Sequence, residues 1–244
     1  MRGWAYAALA LLAALGPSSA VRALSRRALL RAAAVGGIFA APAASLGDSP
    51  AAGAMASVRA GERSFRAGDV VGAVDAFDAA LAAEPRLAPY LWQRGIALYY
   101  AGSFGEAAAQ FQRDVAVNPA DVEEALWHMV SRARVDGLAE ARAHLLVVGR
   151  DRRPVLRDVY ALFAASGAEA AMARARVERY AGDDASPSDA FYARLYLGLL
   201  AEAGADEPAA RRSILAALQT PYAASSSDFM VDVARVHAAR RHWS

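Results

Sequence analysis

Five positions of this chain recur as a set. Gly61, Gly68, Ala73, Phe77 and Pro85 return as Gly95, Gly102, Ala107, Phe111 and Pro119, each displaced by 34 residues. A period in the range of ~20–50 residues marks an array of supersecondary units that bury their apolar faces against one another. The residue types give the unit its shape. Gly68 and Gly102 sit where a turn between two helices needs positive φ, and each proline lies past a helix end, where it cannot extend the hydrogen-bond ladder. The alanines mark the point of closest helix approach, and the phenylalanines fill the gap beside them. The expectation is a helix over 55–67, a turn, and a helix over 71–83. A second pair follows over 88–101 and 104–117.

The spacing resembles the tetratricopeptide (TPR) repeat. The resemblance implies an all-α, TPR-like helical-repeat solenoid of about five antiparallel helix pairs with a C-terminal capping helix. The units fall at 54–87, 88–121, 122–153, 154–181 and 191–224, with the cap at 227–241. The third unit keeps Ala141 and the turn at Asp136-Gly137 but has Leu145 in the phenylalanine position and lacks the first glycine. In the fifth, Gly198, Ala210 and Ile214 reproduce the spacing of Gly95, Ala107 and Phe111. Ser186-Pro187-Ser188-Asp189 reads as a helix start. Met230, Val233 and Val236 give the cap an apolar stripe to cover the last repeat.

Composition agrees. The 244 residues are 56% hydrophobic, which suits closely packed helix pairs rich in Ala and Leu. With no cysteine, disulfides, thiolate metal sites and a cysteine nucleophile are excluded. All 27 basic residues are arginine, and the formal net charge is +2. That excess sits in residues 1–56, which hold Arg2, Arg22, Arg26, Arg27 and Arg31 against Asp48 alone. The remainder has 22 Arg and 24 acids, and a nucleic-acid partner loses its electrostatic support.

The N-terminal stretch reads as two signals in series. Residues 1–23 have a basic start at Arg2, an apolar run over 7–15 and a small-residue region over 16–20, as a secretory signal peptide does. The apolar run is shorter than the ~20 residues a spanning helix needs. Residues 24–56 carry Arg26-Arg27 ahead of two leucines and an Ala-rich stretch, which resembles a twin-arginine export signal, with cleavage candidates at 41–44 and at 54–56. The repeat domain is then 57–244. Two serial signals suit the thylakoid lumen of a secondary plastid. A bacterial periplasm is the alternative, and there the first apolar segment would be redundant. In either setting the membrane is met only through the cleaved leader.

Three segments carry a closer resemblance. They are residues 90–100, around Trp92, Gly95, Tyr99 and Tyr100; residues 121–128, ending Trp127-His128, with Ala133-Arg134; and Tyr196-Leu197-Gly198-Leu199 with residues 230–237. They resemble the chloroplast lumen common TPR-like family of plants and algae, over nearly the whole of 58–243. The chain departs from that pattern at Val231 and in the small-residue run 223–227. The resemblance implies a lumenal helical-repeat protein and agrees with the twin-arginine reading of the leader.

No arrangement of catalytic residues stands out. The four histidines, 128, 144, 237 and 242, lack metal-ligand spacing, and neither a phosphate loop nor a nucleophile elbow occurs. No catalytic residue, metal or cofactor is therefore expected. By repeat position, Phe65, Arg66, Trp92, Tyr99, Tyr100, Glu123 and Arg134 line the concave face. Aromatic area flanked by arginine suits an extended peptide or a chain-terminal carboxylate. The competing reading buries Trp92 and Tyr99 between repeats. Trp127, His128 and His237 form a second candidate pocket; alternatively Trp127 packs on the second repeat and His128 is satisfied locally. The function expected is a non-catalytic scaffold for a protein or peptide partner, acting in assembly, turnover or quality control of photosynthetic complexes. The alternatives are a structural subunit of a membrane complex, a periplasmic adaptor, or an enzyme built around Trp127, His128, Arg134 and His237.

Overall fold

In the computed structural model, residues 50–182 and 184–244 are described, and every regular element among them is helical. The leader expectations over residues 1–49, including Arg26 and Arg27, lie outside the described residues, whereas the cleavage candidate at 54–56 falls inside the first helix. The elements pair in chain order. Helices α1 (Pro50–Arg66) and α2 (Val70–Ala83) pack together, followed by α3 (Trp92–Ala101) with α4 (Phe104–Val117). The next pairs are α5 (Glu123–Asp136) with the short α6 (Leu138–Ala143), α7 (Pro154–Ala164) with α8 (Gly167–Tyr180), and α9 (Pro187–Ala203) with α10 (Glu207–Leu218). The short α11 (Pro221–Ser225) leads to α12 (Phe229–Arg240).

The repeated glycine and phenylalanine are two halves of one contact. A Cβ placed on Gly61 would lie 2.8 Å from the Phe77 ring, and one on Gly95 would lie 2.7 Å from the Phe111 ring. At Gly198 the same atom would meet Ile214 at 2.7 Å. The first helix of a pair thus gives up a side chain so that the second can press a large one onto its backbone. Ala73, Ala107 and Ala210, which allow that approach, are fully buried.

Three boundaries differ from expectation. Helix α1 begins at Pro50, ahead of the 57 boundary, because Ala54 and Val58 already stand on the buried face that continues to Phe65. The third helix begins at Trp92 instead of 88, since Pro85 and Pro89 lack the N–H donors an α-ladder needs and hold residues Pro85–Tyr90 in a 3₁₀ turn. The second helix of the third unit stops at Ala143 instead of running on toward 153. Beyond it the chain has no regular secondary structure and is fixed by other bonds: Gly149 N–H donates to the Pro119 carbonyl at 2.5 Å, and the Tyr160 hydroxyl donates to the Leu146 carbonyl at 3.0 Å.

The array closes on itself. Helix α12 packs on α10, as a cap should, and also on α1 at the opposite end of the chain. Phe229 stacks on Phe65 (ring centroids 5.1 Å) and meets the edge of Trp92 at 5.4 Å. One turn on, Asp232 accepts from Arg66 Nε at 2.8 Å, and two turns on His237 Nδ1 lies 2.9 Å from the Tyr100 hydroxyl. Val231, where the family resemblance fails, is fully buried in the same helix.

Candidate functional site

Closure overturns the expectation of an open aromatic face. Phe65, Trp92, Tyr99, Tyr100 and Glu123 are all buried. Phe65 and Trp92 hold Phe229, while Arg66 pairs with Asp232 and lies over the Phe229 ring. Phe65, Trp92 and Tyr100 meet α12 through Phe229 and His237, while Tyr99 packs against Phe104 and Trp127.

Glu123 belongs to a separate polar cluster. Arg153 donates to Glu123 Oε2 at 2.6 Å, to Asp121 at 2.9 Å and to Asp151 at 2.7 Å, while the Tyr196 hydroxyl donates to Glu123 Oε1 at 2.6 Å. Burial pushes the Glu123 carboxyl up, against the opposing pull of Arg153. This guanidinium ties the irregular segment before α7 to the start of α5, with Tyr196 of α9 on the same carboxylate. Its chemistry is structural: one cation shared among three carboxylates.

The second candidate pocket is divided. Trp127 is buried with its ring against Tyr99 (5.4 Å), Tyr100 (6.3 Å) and Phe111 (6.2 Å), so it packs on the second repeat. His128 points elsewhere. Its charged neighbours are Arg132 and His144, and burial first, then those neighbours, lower its pKa to about 4. His237 is fully buried beneath Tyr100. The four residues Trp127, His128, Arg134 and His237 therefore do not surround one cavity.

What the fold does build is a cleft of about 560 Å³ on the line where the array closes. Four segments of the chain meet there. The end of α3 supplies Tyr99 and Tyr100, and the first residue of α4 supplies Phe104. The last turn of α5 supplies Arg134. The α9–α10 turn supplies Glu202 and Glu207, and the end of α12 supplies Arg240 followed by Arg241 and Trp243. Gly102, with φ of 87°, makes the tight turn that sets Tyr99 and Phe104 side by side at 5.4 Å between ring centroids. Arg134 and Arg240 lie at helix C-termini, where the backbone dipole favours cations.

Glu202 sits at the floor. At a helix C-terminus its charge is unfavourable alone, and the protein surrounds it with donors. Arg241 grips it through Nε at 2.5 Å and through Nη2; the Tyr99 hydroxyl lies 3.4 Å away and His237 Nε2 3.5 Å away. Burial, then the carboxylate of Glu202, raises the Tyr99 pKa, and burial followed by Arg241 and Arg134 lowers that of His237. Both groups are therefore neutral at ordinary pH. Arg134 makes an ion pair with Glu202 at 3.7 Å, beyond hydrogen-bond range, and its guanidinium carbon lies 5.0 Å from the Phe104 ring centroid. Arg240 makes no ion pair with any described residue. Arg241 lies over the rings of Tyr100 at 5.9 Å and Trp243 at 5.7 Å. Three guanidiniums thus converge, two of them held on aromatic rings and two with donors to spare.

Among the described residues no group of histidines and carboxylates is arranged to hold a metal ion. Of the residues singled out from sequence, Tyr99, Tyr100 and Arg134 line the cleft. Phe104, Glu202, Glu207, Arg240, Arg241 and Trp243 were not anticipated. The one signal for them was the pair Arg240-Arg241 close to Trp243, and in a chain whose only basic residue is arginine that pair does not stand out. No protein-family profile matches this chain, and no curated protein matches it.

Proposed function

We propose that this chain is a non-catalytic, TPR-like helical-repeat protein that binds a protein or peptide partner, and that the cleft on the closure line holds the partner's anionic group. The TPR-like reading is supported by the interlock repeated at Gly61–Phe77, Gly95–Phe111 and Gly198–Ile214. The binding reading rests on one observation: Arg134 and Arg240 open into a cleft walled by Phe104 and Trp243, with unused donor capacity. Arginine brings a planar fork of five donors to a carboxylate, and when it is pre-set on an aromatic ring it loses less freedom on binding. The serial leader supports a site of action in the thylakoid lumen, with assembly, turnover or quality control of photosynthetic complexes as the process.

Affinity capture from lumen extract tests this, with the wild-type chain and the Arg134→Gln/Arg240→Gln variant as paired baits. Both side chains are exposed, and circular dichroism of the variant checks that it folds. The expected outcome is a chain enriched by the wild type and lost with the variant. Equal enrichment on both baits would remove the cleft from the account.

A further inference from the structure

We propose that the loop between α6 and α7 is a peripheral membrane-contact site, in which Val147 enters an anionic lipid surface and Arg150 and Arg152 meet its headgroups. This surface is separate from the cleft, and it adds a lipid contact to the one expected of the leader. Backbone geometry is the first argument. Val147 is 89% exposed, while Leu145 and Val148 on either side pack against the core. The chain is held before and after it: the Leu146 carbonyl accepts from Tyr160, and the Gly149 N–H donates to Pro119. A loop fixed in this way presents its apolar tip with little further loss of freedom on binding. Val117, itself 44% exposed, stands two residues before the Pro119 that receives Gly149.

Charge is the second argument, since a lone exposed valine is ordinary. Residues 142–157 hold Arg142, Arg150, Arg152, Arg153 and Arg157 against Asp151 alone. Asp151 is buried and satisfied by Arg153, which also serves Asp121 and Glu123. Arg150 and Arg152, on either side of it, are exposed and make no ion pair with any described residue. Arg113, one turn before Val117 on α4, is exposed and makes none either. The acids nearest in sequence are engaged elsewhere: Glu140 lies 3.3 Å from His144, and Asp158 lies 3.3 Å from Arg176. An apolar tip among unneutralised cations matches the boundary of an anionic bilayer, where the apolar part sinks below the headgroups and the cations stay among them. A protein partner fits less well. A stable interface takes ~800 Å² from each side, whereas Val147 stands among Ala143, His144, Gly149 and Arg150, all exposed and small or polar.

Vesicle sedimentation of residues 50–244 tests the proposal. That chain carries the whole described core and omits the leader, whose apolar run would enter lipid by itself. The vesicles are phosphatidylcholine alone and a two-to-one mixture of phosphatidylcholine with phosphatidylglycerol. Binding is expected to the mixture only, and should weaken as salt is raised. Arg150→Gln and Arg152→Gln should each lower the partition coefficient about fivefold, the factor for one arginine near an anionic surface. Val147→Asp should abolish binding. No binding by the wild type, or unchanged binding by Val147→Asp, overturns the proposal. So does an equal loss with Arg134→Gln/Arg240→Gln, which would place the contact at the cleft. If Val147→Asp changes the oligomeric state without lipid, the loop is a contact between copies and the proposal falls. Because the chain has no cysteine, Val147→Cys carries an environment-sensitive dye at a single position. In the full chain its emission should move to the blue with the mixed vesicles, whereas a dye at Ala79→Cys, exposed on α2, should not respond. This reading decides if the shorter chain does not fold, and a dye at 147 that stays in water overturns the proposal.

Discussion

Gly95 and Phe111 hold the second helix pair at its closest approach, and the protein leaves no room between them. Gly95→Ala puts a methyl group where the Phe111 ring now lies, 2.7 Å away. The gain in helix propensity is outweighed, and a net loss of about 1–3 kcal/mol is expected in urea unfolding. Gly105→Ala, where a Cβ meets nothing within 4 Å, is the control and should be neutral or slightly stabilising. A second consequence concerns Asp114. Its carboxyl is buried, accepts from Gln110 Nε2 at 2.9 Å through one oxygen, and has no hydrogen-bond partner for the other. Burial raises its pKa to about 8. An acid raised in the fold contributes stability that is complete below its unfolded value of about 3.9 and is lost as pH rises through 8. His128, lowered to about 4, works the other way, and its stability is lost as pH falls from about 6.5 to 4. Between pH 6.5 and 8, then, His128 is silent and Asp114 is not. Wild-type stability should fall by about 1–2 kcal/mol more over that interval than that of Asp114→Asn, measured by urea titration. Parallel slopes would show that Asp114 does not titrate there. The glycine and phenylalanine positions were legible in the sequence because a contact between paired helices recurs at fixed spacing. The buried acid was not, since nothing local distinguishes Asp114 from a solvated aspartate on the outer face.

Helices were legible to the extent that their ends are set by local chemistry. Gly68, Gly102 and Gly137 mark turns in both sequence and structure, each with positive φ. The errors come from competition. Pro85 and Pro89 together exclude an α-helix that one proline would only have ended. The second helix of the third unit is shortened because Gly149 and Leu146 find partners in Pro119 and Tyr160, contacts made 30 and 14 positions away. Helix α12 shows the same limit most clearly. Its apolar stripe announced a cap, yet nothing in the stripe says that Phe229 reaches Phe65 and Trp92 at the far end of the array. Because that ring is nearly fully buried, Phe229→Ala should cost about 3–5 kcal/mol and raise binding of a hydrophobic dye. A loss under about 1 kcal/mol would mean that α12 covers the first repeats only loosely.

For the molecule as a whole, closure converts an expected open groove into a core and moves the accessible chemistry to the line where the two ends meet. The bond joining Arg66 to Asp232 spans 166 positions, and no periodic reading of the chain contains it. The same closure assembles the cleft, because Arg134, Glu202 and Arg241 come from the third helix pair, the fifth helix pair and the end of α12. The central claim is that a partner engages this cleft and leaves α12 seated. Three tryptophans among the described residues report on it separately. Trp243 lines the cleft, Trp92 packs against α12, and Trp127 lies in the core. In a heteronuclear NMR titration with the partner recovered by affinity capture, the Trp243 indole N–H resonance should shift while those of Trp92 and Trp127 stay in place. A shift of Trp92 with Trp243 unmoved would mean that ligand displaces α12 and enters the inner face, and would contradict the account.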